Sequence, residues 1–198
     1  MGDTPLVSAA MNGHEAVVEL LLSRADIDPN RPGEDGQTPL MLAARYGHEG
    51  VVKMLLAQDD IDSDVPGEGG LTPLMLAACN GHAEVVKVLL GRDDINLNKP
   101  DVAGETPLGW AAWSGREGVV QVLLDQGDIE PDKPGEDGLT PLMLAASQGH
   151  EKVVKMLLER DDVNPDKPDK RGETALSYAV SNDHARVIHL LDGRNPIS

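Results

Sequence analysis

The run T-P-L-M-L-A-A-S-Q-G-H-E-K-V-V-K-M-L-L-E-R-D-D-V-N-P-D-K-P, residues 140–168, decides the fold. Thr140 caps a helix that carries Pro141 in its first turn, where a missing N–H costs nothing. Leu142, Ala145 and Ala146 give this helix a short apolar face, with small residues where a second helix must approach closely. Gly149 ends it, since the left-handed residue that closes a helix is most easily glycine. A second helix follows, with Val153, Val154, Leu157 and Leu158 on its apolar side and Glu151, Lys152 and Lys155 on its wet side. The tail, rich in Asp, Asn and Pro, cannot be helical throughout and reads as a turn or hairpin finger.

The same phrase returns along the chain. T-P-L stands at Thr4, Thr38, Thr72, Thr106 and Thr140, and T-A-L at Thr174, each step being 34 residues. A fixed period between about 20 and 50 residues marks a solenoid, in which each unit buries its apolar face against its neighbours. The expected fold is all-α, one array over residues 1–198 of stacked helix-turn-helix units joined by fingers. Its repeats fall at approximately 1–35, 36–69, 70–103, 104–137, 138–171 and 172–198.

Composition narrows the function. Aromatic residues make up 2% of the chain and Phe is absent, so the core must be built from Leu, Val, Ala, Met and Ile. The formal net charge of −17 argues against nucleic acid and against an anionic membrane as partners. That charge is uneven: segments 25–37, 59–70, 93–105, 128–138 and 161–173 carry −3, −5, −3, −4 and −2, which account for all of it. The single cysteine, Cys79, excludes an internal disulfide and points to a reducing compartment. With no long apolar run and no charged leader before one, the chain is expected to be cytoplasmic and monomeric.

T-P-L, the paired alanines and G-H-x-x-V-V-x-x-L-L resemble the ankyrin repeat, in nearly all six units. Two departures stand out. The position after T-P-L, usually His in ankyrins, holds Val7, Met41, Met75, Gly109, Met143 and Ser177. The run after the second helix is one residue shorter than the common G-A-D-V-N, and the finger two residues longer. The phrasing R-D-D-V-N-P-D-K-P looks like the ankyrin arrays of fungal multidomain proteins, including those with NACHT-type modules. Asp192 and Asp183 stand where other units have Leu and Gly, so the last unit reads as a C-terminal cap. The first unit, with Val17, Val18, Leu21 and Leu22 retained, reads as uncapped and as cut from a longer or engineered array.

The resemblance implies a concave face lined by fingers and first helices, exposed at the fourth, seventh and eighth residues after each Thr. The candidates for partner contact on it are Arg45, Tyr46, Cys79, Asn80, Trp110, Trp113, Ser114, Ser147, Gln148 and Tyr178. All four aromatics of the chain fall at such positions, and contact surfaces favour Trp, Tyr and Arg. Trp110 and Trp113 lie three apart on one helix and so share a face; the alternative for Trp110 and Tyr178 is that they fill the groove between first helices. The finger-tip acids Glu34, Asp35, Glu68, Glu136 and Asp137 either steer a basic partner or simply keep the array soluble.

Other features are absorbed by the repeat. His14, His48, His82, His150 and His184 recur with the period, Arg116 breaks the series, and no second ligand stands at metal spacing. Asp60, Asp62 and Asp64 alternate like a calcium loop, but Val65 stands where Gly is needed and Leu71 where Glu is needed. Cys79 has no base partner outside the framework, and no phosphate-binding glycine motif occurs. No metal or cofactor is expected. The reading is a non-enzymatic scaffold that binds a protein or peptide, with a spacer or sensor arm, or an engineered scaffold, as the alternatives.

Overall fold

The computed structural model describes residues 3–193. They hold twelve α-helices in six pairs and no β-strand. The chain divides into two compact units, Met1–Leu97 and Asn98–Ser198. The first contains α1 (Pro5–Met11), α2 (Glu15–Leu22), α3 (Pro39–Tyr46), α4 (Glu49–Leu56), α5 (Pro73–Asn80) and α6 (Ala83–Leu90). The second contains α7 (Pro107–Trp113), α8 (Glu117–Leu124), α9 (Pro141–Ser147), α10 (Glu151–Leu158), α11 (Ala175–Ser181) and α12 (Ala185–Asp192).

The period sets where each helix begins. Every first helix is capped by its threonine: the hydroxyl oxygens of Thr4, Thr38, Thr72 and Thr106 accept from Val7 N, Met41 N, Met75 N and Gly109 N at 3.1–3.2 Å. Thr72, Thr106 and Thr140 are buried, so each hydroxyl meets its obligation inside the fold. The second helices lack a side-chain cap. Glu15, Glu49, Glu117 and Glu151 open four of them, where a carboxylate complements the helix dipole.

Within each unit, first helices pack on first helices and second on second: α1–α3–α5 and α2–α4–α6, then α7–α9–α11 and α8–α10–α12. The paired alanines Ala43, Ala44, Ala111, Ala112, Ala145 and Ala146 are wholly buried, which lets these short helices approach. Val51, Val52, Leu55 and Val119, Val120, Leu123 are wholly buried as well, and Val153, Val154 and Leu157 nearly or fully so, the aliphatic face that their spacing predicts. The first pair is more open: Val17 is 44% exposed and Leu20 68%.

Neighbouring repeats are joined by side chains that reach backward. His48 Nε2 lies 2.9 Å from Met11 O, and His82 Nε2 3.0 Å from Arg45 O. In the second unit His150 Nε2 lies 3.0 Å from Trp113 O, and His184 Nε2 2.9 Å from Ser147 O. Each imidazole also covers the turn glycine of the repeat before it. A Cβ on Gly13, Gly115 or Gly149 would come within 2.6 Å of the His48, His150 or His184 ring. Those glycines have φ of +70°, +65° and +74°. Asp183 takes the same conformation, φ 58°, in the last repeat.

Two further joints follow the same logic. Arg92 and Arg160 donate to Leu56 O and Leu124 O at 3.1 Å, while Asp94 and Asp162 hold their guanidinium groups. Asn30 and Asn98 clip successive fingers: each amide donates to a carbonyl (Asp60 O, Asp128 O; 2.7 Å) and accepts from an N–H (Asp62, Glu130; 2.9 Å).

The glycine–imidazole joint makes a separable prediction. Gly149→Ala should cost about 2 kcal/mol in denaturant unfolding, part from the left-handed backbone and part from the clash with His184. In a His184→Ala background the same substitution should cost only about 1 kcal/mol, the conformational part. Equal costs in both backgrounds would show that the imidazole does not press on this glycine.

Candidate functional site

Arg45, Tyr46, Asn80 and Trp113 are exposed on the first helices and Gln148 at the C-cap of α9, while Cys79, Trp110, Ser147 and Tyr178 are half-buried on those helices and Ser114 at the C-cap of α7. Tyr46 and Trp113 are 49% and 45% exposed, unusual for rings of this size. Arg45 lies over the Tyr46 ring, 5.9 Å from its centroid. Glu34, Asp35, Glu68, Glu136 and Asp137 are exposed on the fingers. Asn80 Nδ2 donates to Leu76 O at 2.8 Å, and Ser147 Oγ to Leu144 O at 2.8 Å.

The fourth residue after each Thr corrects the expected pattern of exposure. Leu42 and Leu76 are buried, whereas Trp110, Leu144 and Tyr178 are half-buried. What stands nine residues earlier in the finger decides the chemistry of this position. Gly33, Gly67 and Gly135 precede Leu42, Leu76 and Leu144, while Asp101 and Asp169 precede Trp110 and Tyr178. Trp110 Nε1 donates to Asp101 Oδ2 at 3.0 Å, and Tyr178 OH to Asp169 Oδ2 at 2.7 Å. The other oxygen of each carboxylate closes its own finger. Asp101 Oδ1 accepts from Ala103 N and Glu105 N at 2.9 Å, and Asp169 Oδ1 from Arg171 N and Glu173 N at 2.8 Å. An aromatic with a donor therefore appears where the finger offers an acceptor, and both ring and finger are fixed before any partner arrives. Sequence reading passed over Asp101 and Asp169, although the shared spacing of nine was there to find.

The second unit holds a cavity of about 200 Å³ beside Trp110, lined also by Glu105, Gly109, Trp113 and Leu144. Met41, Met75 and Met143 stand at the equivalent of Gly109 in other repeats and are almost wholly buried, whereas at Gly109 the Glu105 carboxylate and Leu144 close over the place of the missing side chain. The Trp110 and Trp113 rings meet edge to face, 5.9 Å between centroids and 88° between planes. Glu105 Oε2 lies 2.7 Å from where a Cβ on Gly109 would stand, and its other oxygen crowds the same point on Gly135. Burial, and then the charges of Asp101 and Asp137, push the Glu105 carboxyl up to about 7. Gly109 is the one residue without a side chain at its repeat position, and the pairing of Trp110 with Trp113 was the available signal for this site.

A second cavity, about 380 Å³, lies within the first unit and brings Asp35, Gln37, Arg45, Glu68 and Leu76 together. Arg45 Nη1 donates to Gln37 Oε1 at 3.5 Å there. Three of the expected contact residues thus share one site of mixed charge. No group of three His, Cys, Asp or Glu side chains suited to a metal is present among the described residues. None of the described helices is long and apolar enough to cross a membrane.

Stacked helix pairs and a backward-reaching imidazole in four of the six repeats define a helical repeat scaffold. The family described as "Ankyrin repeats (3 copies)" matches residues 1–67, 58–134 and 128–196. The chain belongs to the ankyrin-repeat family. No curated protein matches it.

The Tyr178–Asp169 bond has a titration signature. Donation to Asp169, and then burial, push the Tyr178 phenol up to about 12, and the same bond holds the Asp169 carboxyl below its ordinary value. The phenol's contribution to stability is complete below pH ~10, its ordinary value, and is lost as pH rises through about 12. In a Tyr46→Phe background, ultraviolet absorbance should report one phenol ionising near 12, and Asp169→Asn should bring it down towards ~10. An unmoved midpoint would mean that the carboxylate is not the phenol's partner.

Proposed function

We propose that the chain binds a protein or peptide through the fingers and first helices, with Trp113 as an anchor in the second unit and Arg45 and Tyr46 as contacts in the first. One observation carries this reading. A chain that builds its core without aromatics puts all four of them on first helices, and leaves Trp113 and Tyr46 about half exposed. Large rings of this kind, held by a rigid frame, supply contact area with little loss of conformational entropy on binding.

The partner's contact surface is basic. The net charge of −17 lies in the connecting segments, and the tips Asp35, Glu68, Glu136 and Asp137 are exposed. Such a rim speeds encounter with a positive surface more than it tightens the final complex. The finger phrasing supports a further step: the array is the recognition arm of a larger fungal protein of the NACHT type, working in the cytoplasm.

Trp113→Ala should weaken capture of the partner by about 2 kcal/mol or more, while Lys87→Ala on the exposed side of α6 should change it by less than about 0.5 kcal/mol. Affinity chromatography followed by titration with the captured protein measures both. Unchanged affinity in Trp113→Ala removes that ring from the contact surface.

A further inference from the structure

The cavity beside Trp110 has a composition that no general docking surface requires. Its walls are two indoles set at right angles and the Leu144 side chain, its floor is Gly109, and its one titratable lining group is Glu105. One indole ring and the main chain beneath the other are held in place. Trp110 is tethered by its N–H to Asp101, and the carbonyl of Trp113 accepts from His150. At about 200 Å³ it is smaller than the roughly 300–1,000 Å³ of sites for drug-sized molecules, and matches the end of one side chain.

Which side chain follows from charge and shape. Every charged group acting on Glu105 is negative: Asp101 from its own finger and Asp137 from the next, while α7 and α9 bring only Gly109, the two indoles and Leu144 to the cavity. An anion is repelled, and a neutral donor can bond the half-buried carboxylate but does not balance its charge. A cation satisfies the carboxylate and meets the negative faces of the indoles. A planar guanidinium stacks parallel to one ring and cannot lie parallel to two rings 88° apart. A tetrahedral ammonium has no such preference.

We infer that this cavity binds the ammonium end of a lysine side chain presented by the partner, paired with Glu105 and flanked by Trp110 and Trp113. The inference rests on the partner-binding reading above and specifies its anchor in the second unit. Methyl groups on the nitrogen lower the cost of leaving water while one N–H remains for Glu105, so a dimethylated lysine binds more tightly than an unmodified one. The combination occurs once in the chain: the sixth repeat has Glu173, Ser177, Tyr178 and Ser181 at the matching positions.

Both tryptophans of the chain line the cavity, so their fluorescence reports on it without a label. The full chain is titrated with N-acetyl-lysine methylamide in its unmodified, ε-dimethylated and ε-acetylated forms, and with the arginine equivalent. The dimethylated and unmodified forms should give saturable changes, the former about tenfold tighter than the acetylated form and the arginine compound. Glu105→Gln should remove that preference for charge. In the wild type, affinity for the ammonium should rise between pH 6 and 8 as Glu105, near 7, loses its proton. Gly109→Met sets a side chain on the cavity floor, where its Cβ meets the Glu105 carboxylate, and should abolish the response by displacing that carboxylate while circular dichroism shows the helices retained.

The inference is overturned if the acetylated or arginine compound binds as tightly as the ammonium forms. It is equally overturned if no ammonium saturates the signal, or if Gly109→Met leaves binding intact. None of these results touches the broader reading, which stands or falls with capture of the partner by Trp113→Ala.

Discussion

The imidazole that four of the six repeats lend to the one before them is the constraint on which the frame of each unit depends. His48, His82, His150 and His184 reach back to a carbonyl at the end of the preceding first helix, 37 residues away in each case. The same rings occupy the space above glycines that are already obliged to be left-handed. One contact therefore ends a helix, satisfies a terminal carbonyl and sets the distance between neighbouring pairs. Where the histidine is present it fits the step of 34 residues, because lengthening such a repeat would carry the ring past both glycine and carbonyl.

A frame held this way leaves other positions free to vary. Where the finger has glycine, the fourth residue of the helix is leucine; where it has aspartate, an aromatic donor binds it, as in Trp110 and Tyr178. The fourth repeat departs further. Gly109 lacks the buried side chain of its counterparts, Trp113 adds an exposed ring, and Glu105 lines the cavity beside them. The exposed rings and the cavity gather where the period is broken, and the periodic residues hold them in place.

Much of the fold was legible because its determinants are local. Thr-Pro at the helix start, Gly-His at the turn and Val-Val-x-x-Leu-Leu on the second helix each act within a few residues of where they stand. The recurrent histidines read as framework for the same reason. The site was legible only in part. Trp110, Trp113, Arg45 and Tyr46 stand out by type and position, but the burial of Leu42 and Leu76 depends on neighbouring elements that helical spacing does not specify. Glu105 is harder still: its environment is assembled from residues 101, 109, 135, 137 and 144, which no short window contains.

The backward bond fixes a proton on one ring nitrogen of each histidine that makes it. A carbonyl oxygen only accepts, so the ring nitrogen facing it must carry the proton. Two-bond nitrogen–proton correlation spectra of the folded chain, recorded above the ordinary imidazole value of ~6.5, distinguish the two neutral tautomers directly. His48, His82, His150 and His184 should all appear as the Nε2–H form. If these four instead show the Nδ1–H form or an even mixture, the backward bond does not hold the repeats in register.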